Sequence, residues 1–524
     1  MTGRSYAQTL RALKESYRRG HDGSTVDEML ARLGEGPALF TDAGATSTCE
    51  DSTCEEREGG LCWGYERDCT EDNRLFVPRC DGSPKPWAQT MEGKMELFWT
   101  QADFGYVKKV VDSLAILCSP KGKIAEGASQ LICSAQLRYC RARNLYMDLR
   151  RYRQMTEKQG TYRSFLEDIF EEGEIGGNCE LDINRLRDNA RHKSPLQSWY
   201  AELGGYSSVD FKVKEGEQCD EIVTRPTVFI KLDAVVNMYH HFCDFFNIYA
   251  SQHVNGSFSD DVQIVIWDTT LSKEFRDPFI ETWRAFTRHP VMKLAQFQGK
   301  RVCFKDVVFS LLARMQQGLY YNTYLTPDCR GSGLMQAFTK HLVPRLGIPQ
   351  DSRLPERVRV TLLSRSTKHR RIVNENELVN ALKTVGYFDV SVVDYKFREF
   401  PFLEQIKTSH NSDIFMGIHG AGLTHMIFLP DWAGVFEMFN TEDPRCYYDL
   451  ARLRGIEYIT WEKGDKIWKE AEGYSPTSGN PSPKFTNYTL DVEELMRLVT
   501  GLGDRVRERK MERHAHSLGL FTTS

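Results

Sequence analysis

Between Arg357 and Trp461 the chain alternates short β-branched, apolar runs with stretches of helical periodicity, and few folds accommodate that rhythm. Arg357–Leu363 (R-V-R-V-T-L-L) reads as a strand rich in β-branched residues. A helix over Asn374–Val385 follows, with Asn374 and Glu377 at the spacing of a capping box. Then come a strand at Val390–Val393, a short helix at Phe402–Thr408, a strand at Asp413–Ile418 and a helix opening over Leu423–Phe428. Val435–Phe439, Tyr447–Leu453 and Ile456–Thr460 extend the series as strand, helix and strand. Such alternation predicts a parallel sheet with helices on both faces. Val228–Leu232, Val262–Trp267 and Lys305–Phe309 suggest an earlier, less regular α/β unit. The expected architecture is α/β, with two lobes facing a cleft. The alternative is one α/β domain preceded by an unrelated helical domain.

The boundaries expected on this basis are a charged leader over 1–45, a cysteine-rich, partly helical region over 46–220, a first lobe over 221–350, a second lobe over 351–500 and a basic tail over 501–524. With 41% hydrophobic residues in 524, the chain has ample material for buried cores, which excludes a mostly disordered protein. Lys and Arg number 68 against 72 Asp and Glu, a net charge of −4, which argues against a dedicated nucleic-acid binder. No apolar run approaches the roughly 20 residues that span a bilayer.

Five of the 14 cysteines fall between Cys49 and Cys80, and no C-x-x-C pair occurs. Crowding without metal spacing predicts disulfides, hence an oxidising compartment. The sequons at Asn255 and Asn487 are compatible with a luminal glycoprotein. Against that, Met1–Gly20 lacks the apolar core of a signal peptide, and His516–Ser524 carries no H-D-E-L or K-D-E-L tetrapeptide.

The best candidate site is the turn Ile418-His419-Gly420-Ala421-Gly422-Leu423-Thr424. It leaves the carboxyl end of an expected strand and opens a helix, where open α/β sheets bind ligands. Gly420 and Gly422 let backbone approach a ligand, and free amides at the helix start favour an anion such as a diphosphate. His419 is a candidate donor to that phosphate or to a departing one. The bland alternative is a packed strand–helix turn around a satisfied histidine. Glu437, in the apolar strand that follows, needs a partner. That partner is either a ribose hydroxyl pair or an arginine such as Arg445 or Arg452. Arg365, just past Leu363, is placed to neutralise a phosphate. The run Lys368-His369-Arg370-Arg371 beside it reads as a solvated face. In the first lobe, His240, His241 and Asp244 are candidates for a general base or acceptor contacts, with Asp233 as a further possible base. Adjacent helical histidines point apart, so both cannot easily serve one centre. No D-x-D supports a metal in the second lobe.

Many segments match one family in order. They include Asp103-Phe104-Gly105-Tyr106, Lys193-Ser194-Pro195-Leu196-Gln197-Ser198-Trp199, Tyr239–Phe245, Arg301–Lys305, Phe415–His425 and Pro483–Tyr488. From about Cys62 to about Leu498 the chain closely resembles glycosyltransferase family 61. The resemblance implies an enzyme of the endoplasmic reticulum lumen with two Rossmann-like lobes, the glycosyltransferase B type. It implies transfer of N-acetylglucosamine from its uridine diphosphate ester (UDP-GlcNAc) to Ser or Thr of folded EGF-like domains, with inversion. The first lobe would then hold the acceptor, through His240, His241 or Asp244, and the second the nucleotide sugar, through Arg365, the His419–Thr424 turn and Glu437. No cofactor is expected, and a divalent-metal requirement stays open; Arg288-His289-Pro290 stands where the family carries an Asp-Tyr-Asp triplet, which favours a metal-independent mechanism. Two alternatives remain: a family member using another sugar or O-glycan acceptor, and an inactive protein that binds EGF modules.

Overall fold

The computed structural model describes residues 61–66, 69–152, 170–190, 196–213, 217–267, 277–315, 318–321, 323, 325–351, 355–396, 398–438 and 443–517. The expected leader over 1–45 lies outside the described residues, as do Cys49 and Cys54.

The first lobe is built on an 11-stranded mixed sheet. Helix α1 (Phe104–Asp112) leads into an antiparallel set, β1 (Ala115–Pro120), β2 (Gln130–Cys133) and β3 (Cys140–Asp148). A parallel set follows, β4 (Thr227–Ile230), β5 (Gln263–Ile266), β6 (Met292–Lys293) and β7 (Arg301–Phe309). The order across it is β6-β5-β4-β7-β3-β2-β1, so β7 joins the two sets by pairing antiparallel with β3 from Arg301↔Asp148 to Phe309↔Cys140. The expected strands at 228–232, 262–267 and 305–309 are therefore present. The expected boundary at 220, however, crosses one continuous sheet, and the cysteine-rich region supplies strands as well as helix. Between β4 and β5, helix α2 (Met238–Asn255) packs its aromatic face into the core.

Helix α3 (Gly333–Arg345) carries the chain across to the second lobe. Asp103 ties its start to that of α1, because the carboxylate accepts from the amides of Phe104, Gly333 and Leu334. That triple acceptor is the structural content of the Asp103-Phe104-Gly105-Tyr106 segment.

The second lobe is a five-stranded, all-parallel sheet of β8 (Val358–Leu363), β9 (Phe388–Val393), β10 (Ile414–Gly417), β11 (Gly434–Glu437) and β12 (Glu457–Thr460). Its order is β9-β8-β10-β11-β12, so the winding reverses between β8 and β10. Alternate residues face opposite layers: Val358, Val360, Leu362, Ile414 and Met416 pack with α4 (Glu375–Leu382), whereas Phe415 and Val435 face the core shared with the first lobe. On that second face lie α5 (Phe402–His410) and α6 (Cys446–Arg454). Asn374 precedes α4 without capping it. Its amide instead bonds the Glu377 carboxylate and both backbone groups of Leu490. The last helix, α7 (Val492–Ser517), runs unbroken through the expected boundary at 500. It buries Leu495, Val499, Leu502 and Val506 on the sheet, so residues 501–517 belong to this lobe.

The lobes share one aromatic core, with Phe242 against Phe428 at 5.5 Å and Phe279 against Phe402 at 4.9 Å between ring centres. Five disulfides brace the described residues: Cys62–Cys69, Cys80–Cys329, Cys118–Cys179, Cys133–Cys140 and Cys219–Cys303. No described helix is long and apolar enough to cross a membrane.

Candidate active site

The turn after β10 sits where the sheet order reverses, beside the carboxyl end of β8, the position at which open parallel sheets form a crevice. The segment Ala421–Phe428 is a 3-10 helix rather than an α-helix. In such a helix the first amides, here those of Ala421 and Gly422, have no partner within the helix. Close approach explains both glycines. A Cβ on Gly422 would stand 2.5 Å from Leu363 Cδ2, and one on Gly420 would stand 2.4 Å from Arg365 Nη1.

Arg365 and Arg370 converge on this turn. Arg370 Nη1 donates to the carbonyl of His419 at 3.0 Å, while its buried Nε has no hydrogen-bond partner. Neither guanidinium makes an ion pair within 4.0 Å among the described residues. Burial, and after it the charge of Arg370, pulls Arg365 down to about 10. Burial likewise lowers Arg370. Two half-buried like charges without a counter-ion are costly unless an anion joins them.

His419 completes the cluster. Its Nδ1 lies 2.6 Å from Glu437 Oε1, and Tyr458 donates to Glu437 Oε2 at 2.5 Å. A carboxylate accepts, so His419 carries its proton on Nδ1 and turns Nε2 outward. This geometry follows from register: Gly417 pairs with Glu437, and His419 lies two residues further on. Glu437 is 1% exposed with both oxygens engaged, so it positions His419 and is not free for a ribose. Among the described residues no arginine pairs with it, and Arg452 instead bonds Asp449 and the carbonyls of Thr326 and Cys329.

On the first sheet, the loop after β4 and the first turn of α2 bring Asp233 and His240 together, with His240 Nδ1 2.8 Å from Asp233 Oδ2. Arg314 Nε donates to the same oxygen at 2.7 Å. Asp233 is thereby held below the usual carboxylate range by His240 and Arg314, which outweigh burial. The imidazole remains 19% exposed, with Nδ1 committed to Asp233 and Nε2 available as an acceptor. Rings bridge the two clusters: Tyr239 contacts His240 at 5.9 Å and Tyr447 at 5.8 Å, and Tyr447 contacts His419 at 5.0 Å.

His241 and Asp244 face the other way. His241 is fully buried, with Nδ1 3.0 Å from Asp244 and Nε2 3.2 Å from Asp277. Asp277 also accepts from Trp283, and Asp244 accepts from the Asp233 amide. Both ring nitrogens are occupied, so this triad braces α2 and has no edge for substrate. Burial opposes a charge on His241, yet hydrogen bonds to Asp244 and Asp277 outweigh it and raise the imidazole to about 9. The unfolded side chain titrates near about 6.5. A folded pKa above the unfolded one contributes stability that is complete below about pH 6.5 and lost as pH rises to about 9. Thermal midpoints should therefore fall across that window in the wild type and stay flatter in His241→Gln. A wild-type midpoint unmoved over the window contradicts a charged triad.

The sequons fare differently. Asn255 is half-buried at the end of α2, its Oδ1 accepting from Tyr139. Asn487 is buried: its Nδ2 donates to Glu470 and its Oδ1 accepts from the Arg371 amide, so the folded chain offers no free amide there. One three-ligand group exists among the described residues, Cys62, Glu66 and Cys69, but its two sulfurs are bonded to each other.

Of the residues singled out in the sequence, Arg365, His419 and the glycines come together at this turn. Sequence reasoning discounted Arg370 as part of a charge run and missed Tyr458, Tyr447, Arg314 and Asp277. The only sequence signal for Arg370 was its place a few residues beyond a strand's carboxyl end.

A family model described as glycosyltransferase 61 matches residues 232–436, which enclose Asp233, His240, Arg365, Arg370 and His419. A protein of Pan troglodytes is 50% identical over 466 residues, 88% of this chain and 86% of its own. One of Xenopus laevis is 54% identical over 438 residues, 84% and 81% respectively. One of Drosophila melanogaster is 44% identical over 454 residues, 86% and 85%. Each bears the name EGF domain-specific O-linked N-acetylglucosamine transferase.

Proposed function

The chain belongs to the EGF domain-specific O-linked N-acetylglucosamine transferases of glycosyltransferase family 61, and on that premise we propose that it moves N-acetylglucosamine from UDP-GlcNAc to Ser or Thr hydroxyls of folded EGF-like domains. The observation that carries this reading is the pair Arg365 and Arg370, two cations without a carboxylate partner among the described residues, set beside open amides at the sheet's reversal point. Such a site suits a pyrophosphate. The reversal of strand order and the division of the strands between two large sheets support the two-lobed B type of glycosyltransferase fold.

In this mechanism the acceptor hydroxyl oxygen attacks the anomeric carbon from the face opposite the pyrophosphate. The bond to the leaving oxygen breaks and configuration inverts. His240 Nε2 takes the hydroxyl proton, and Asp233 steadies the imidazolium that forms. Charge growing on the diphosphate meets Arg365, Arg370, the Ala421 and Gly422 amides and, with His419 acting as an imidazolium whose Nδ1–H is held by the Glu437 carboxylate, the Nε2–H of that ring. Five disulfides support residence in an oxidising lumen, in keeping with secreted and cell-surface acceptors.

The test is incubation of purified protein with a panel of nucleotide sugars and a folded EGF domain, read by intact mass. One N-acetylhexosamine should be added from UDP-GlcNAc. Preferential transfer of xylose, or transfer only to a pre-existing glycan, contradicts the proposal.

A further inference from the structure

A cavity lies on the same sheet edge as His240. Phe309 at the carboxyl end of β7 pairs with Cys140, and Cys140 pairs with Cys133, so the hairpin loop 134–139 projects from the edge that carries the Asp233–His240 cluster. Between this loop and helix α1 is a cavity of about 370 Å³, lined by Gln101, Tyr106, Lys109, Ser113, Gln136 and Arg138 among others. That volume suits a side chain with its neighbouring backbone.

Three features make it a built site. First, the loop is held in a strained shape. Gln136 and Leu137 both adopt positive φ, 62° and 48°, which non-glycine residues rarely do. The surroundings enforce it: the Cys133–Cys140 disulfide closes the loop, Ser198 donates to the Gln136 carbonyl and the Trp199 amide donates to the Leu137 carbonyl. Strain kept in this way is a mark of functional loops. Second, the lining carries Lys109 and Arg138 and no acidic side chain among the described residues, so it favours an anion. Lys109 is exposed at the rim, and Arg138 is tethered to Tyr106. Third, two consecutive residues link the cavity wall to the Asp233–His240 cluster. Arg314 bonds Asp233, and the next residue, Met315, accepts from the Tyr106 hydroxyl in the cavity wall at 4.0 Å.

We propose that this cavity is a docking pocket for an acidic side chain of the acceptor polypeptide, anchoring the acceptor while a nearby hydroxyl reaches His240. The proposal rests on the transfer reading above and extends it to how a folded acceptor is chosen. A flexible peptide without the acidic group in the right place would lose this anchor.

The test compares full-length wild-type protein with Lys109→Glu, a rim substitution that leaves the strained loop and the Arg138–Tyr106 contact in place. Binding of a folded EGF domain is measured by biolayer interferometry, and transfer kinetics are measured alongside. The KM for the folded domain should rise on the order of tenfold or more, because like charges now face each other, and the KM for the donor should not follow it. Neutralising the acceptor's exposed carboxylates one at a time should find one whose loss weakens wild-type binding and adds nothing to Lys109→Glu. Equal or absent binding in both proteins overturns the pocket. Binding that Lys109→Glu weakens, without sugar transfer by the wild type, would instead keep the pocket and defeat the transfer reading.

Discussion

Replacing His419 with alanine should lower kcat/KM for sugar transfer by about 10²–10³, the usual cost of deleting a donor aimed at developing charge. The register of β10 and β11 sets Glu437 beside Gly417 and leaves His419 two residues beyond it. Glu437 and Tyr458 then fix the imidazole with Nδ1 inward. Removing the ring leaves the buried Glu437 carboxylate with Tyr458 as its remaining side-chain partner and takes away the contact with Tyr447, so the alanine variant should melt below the wild type, and the kinetics are compared well below both midpoints. Glu437→Gln should lose less, on the order of tenfold, since an amide oxygen still accepts one of the two hydrogen bonds. A His419→Ala enzyme within fivefold of wild type would remove His419 from the donor site.

Arg365→Ala and Arg370→Ala should each weaken UDP binding by about 10–100-fold, the range expected for losing one charge-assisted contact. Neither should change binding of uridine, which lacks the phosphates. The discrimination matters: a general collapse of the crevice would weaken both ligands together. Arg365→Lys should recover little, because a single ammonium cannot present the planar fork that spans two oxygens. Gly420→Ala should resemble a mild Arg365 variant, since its methyl would push the guanidinium aside. Equal loss of UDP and uridine affinity in the arginine variants would show that they support the fold rather than the anion.

Local signals made the second lobe legible. Its strands carry β-branched runs, each stops at a turn, and the glycine turn after Ile418 stands out against buried surroundings. The first lobe was harder to read because its defining partnership, β3 with β7, joins residues more than 150 positions apart, such as Asp148 and Arg301. No periodicity within either strand announces that pairing, and a boundary drawn by composition at 220 cuts through it. The site was half legible for similar reasons. His419 and the glycines form one contiguous motif. Arg370, by contrast, enters through a left-handed backbone at φ 60°, which nothing in a basic run foretells. Glu437 was noticed as a buried carboxylate, but its partner was sought among arginines, whereas strand register supplied a histidine. Adjacent His240 and His241 were rightly expected to diverge. Only the fold could say that His240 keeps a solvent edge while His241 sinks between Asp244 and Asp277. Asn487 shows the reverse case, a sequon plain in sequence whose amide the folded chain already uses.

The central claim is that the turn after β10 grips the pyrophosphate of an activated sugar, and a crystal structure of the full chain with UDP tests it most directly. The account predicts the diphosphate against the Ala421 and Gly422 amides, between the Arg365 and Arg370 guanidiniums, with His419 Nε2 in hydrogen-bond reach. A nucleotide bound elsewhere, with those guanidiniums turned away from it, would contradict the account.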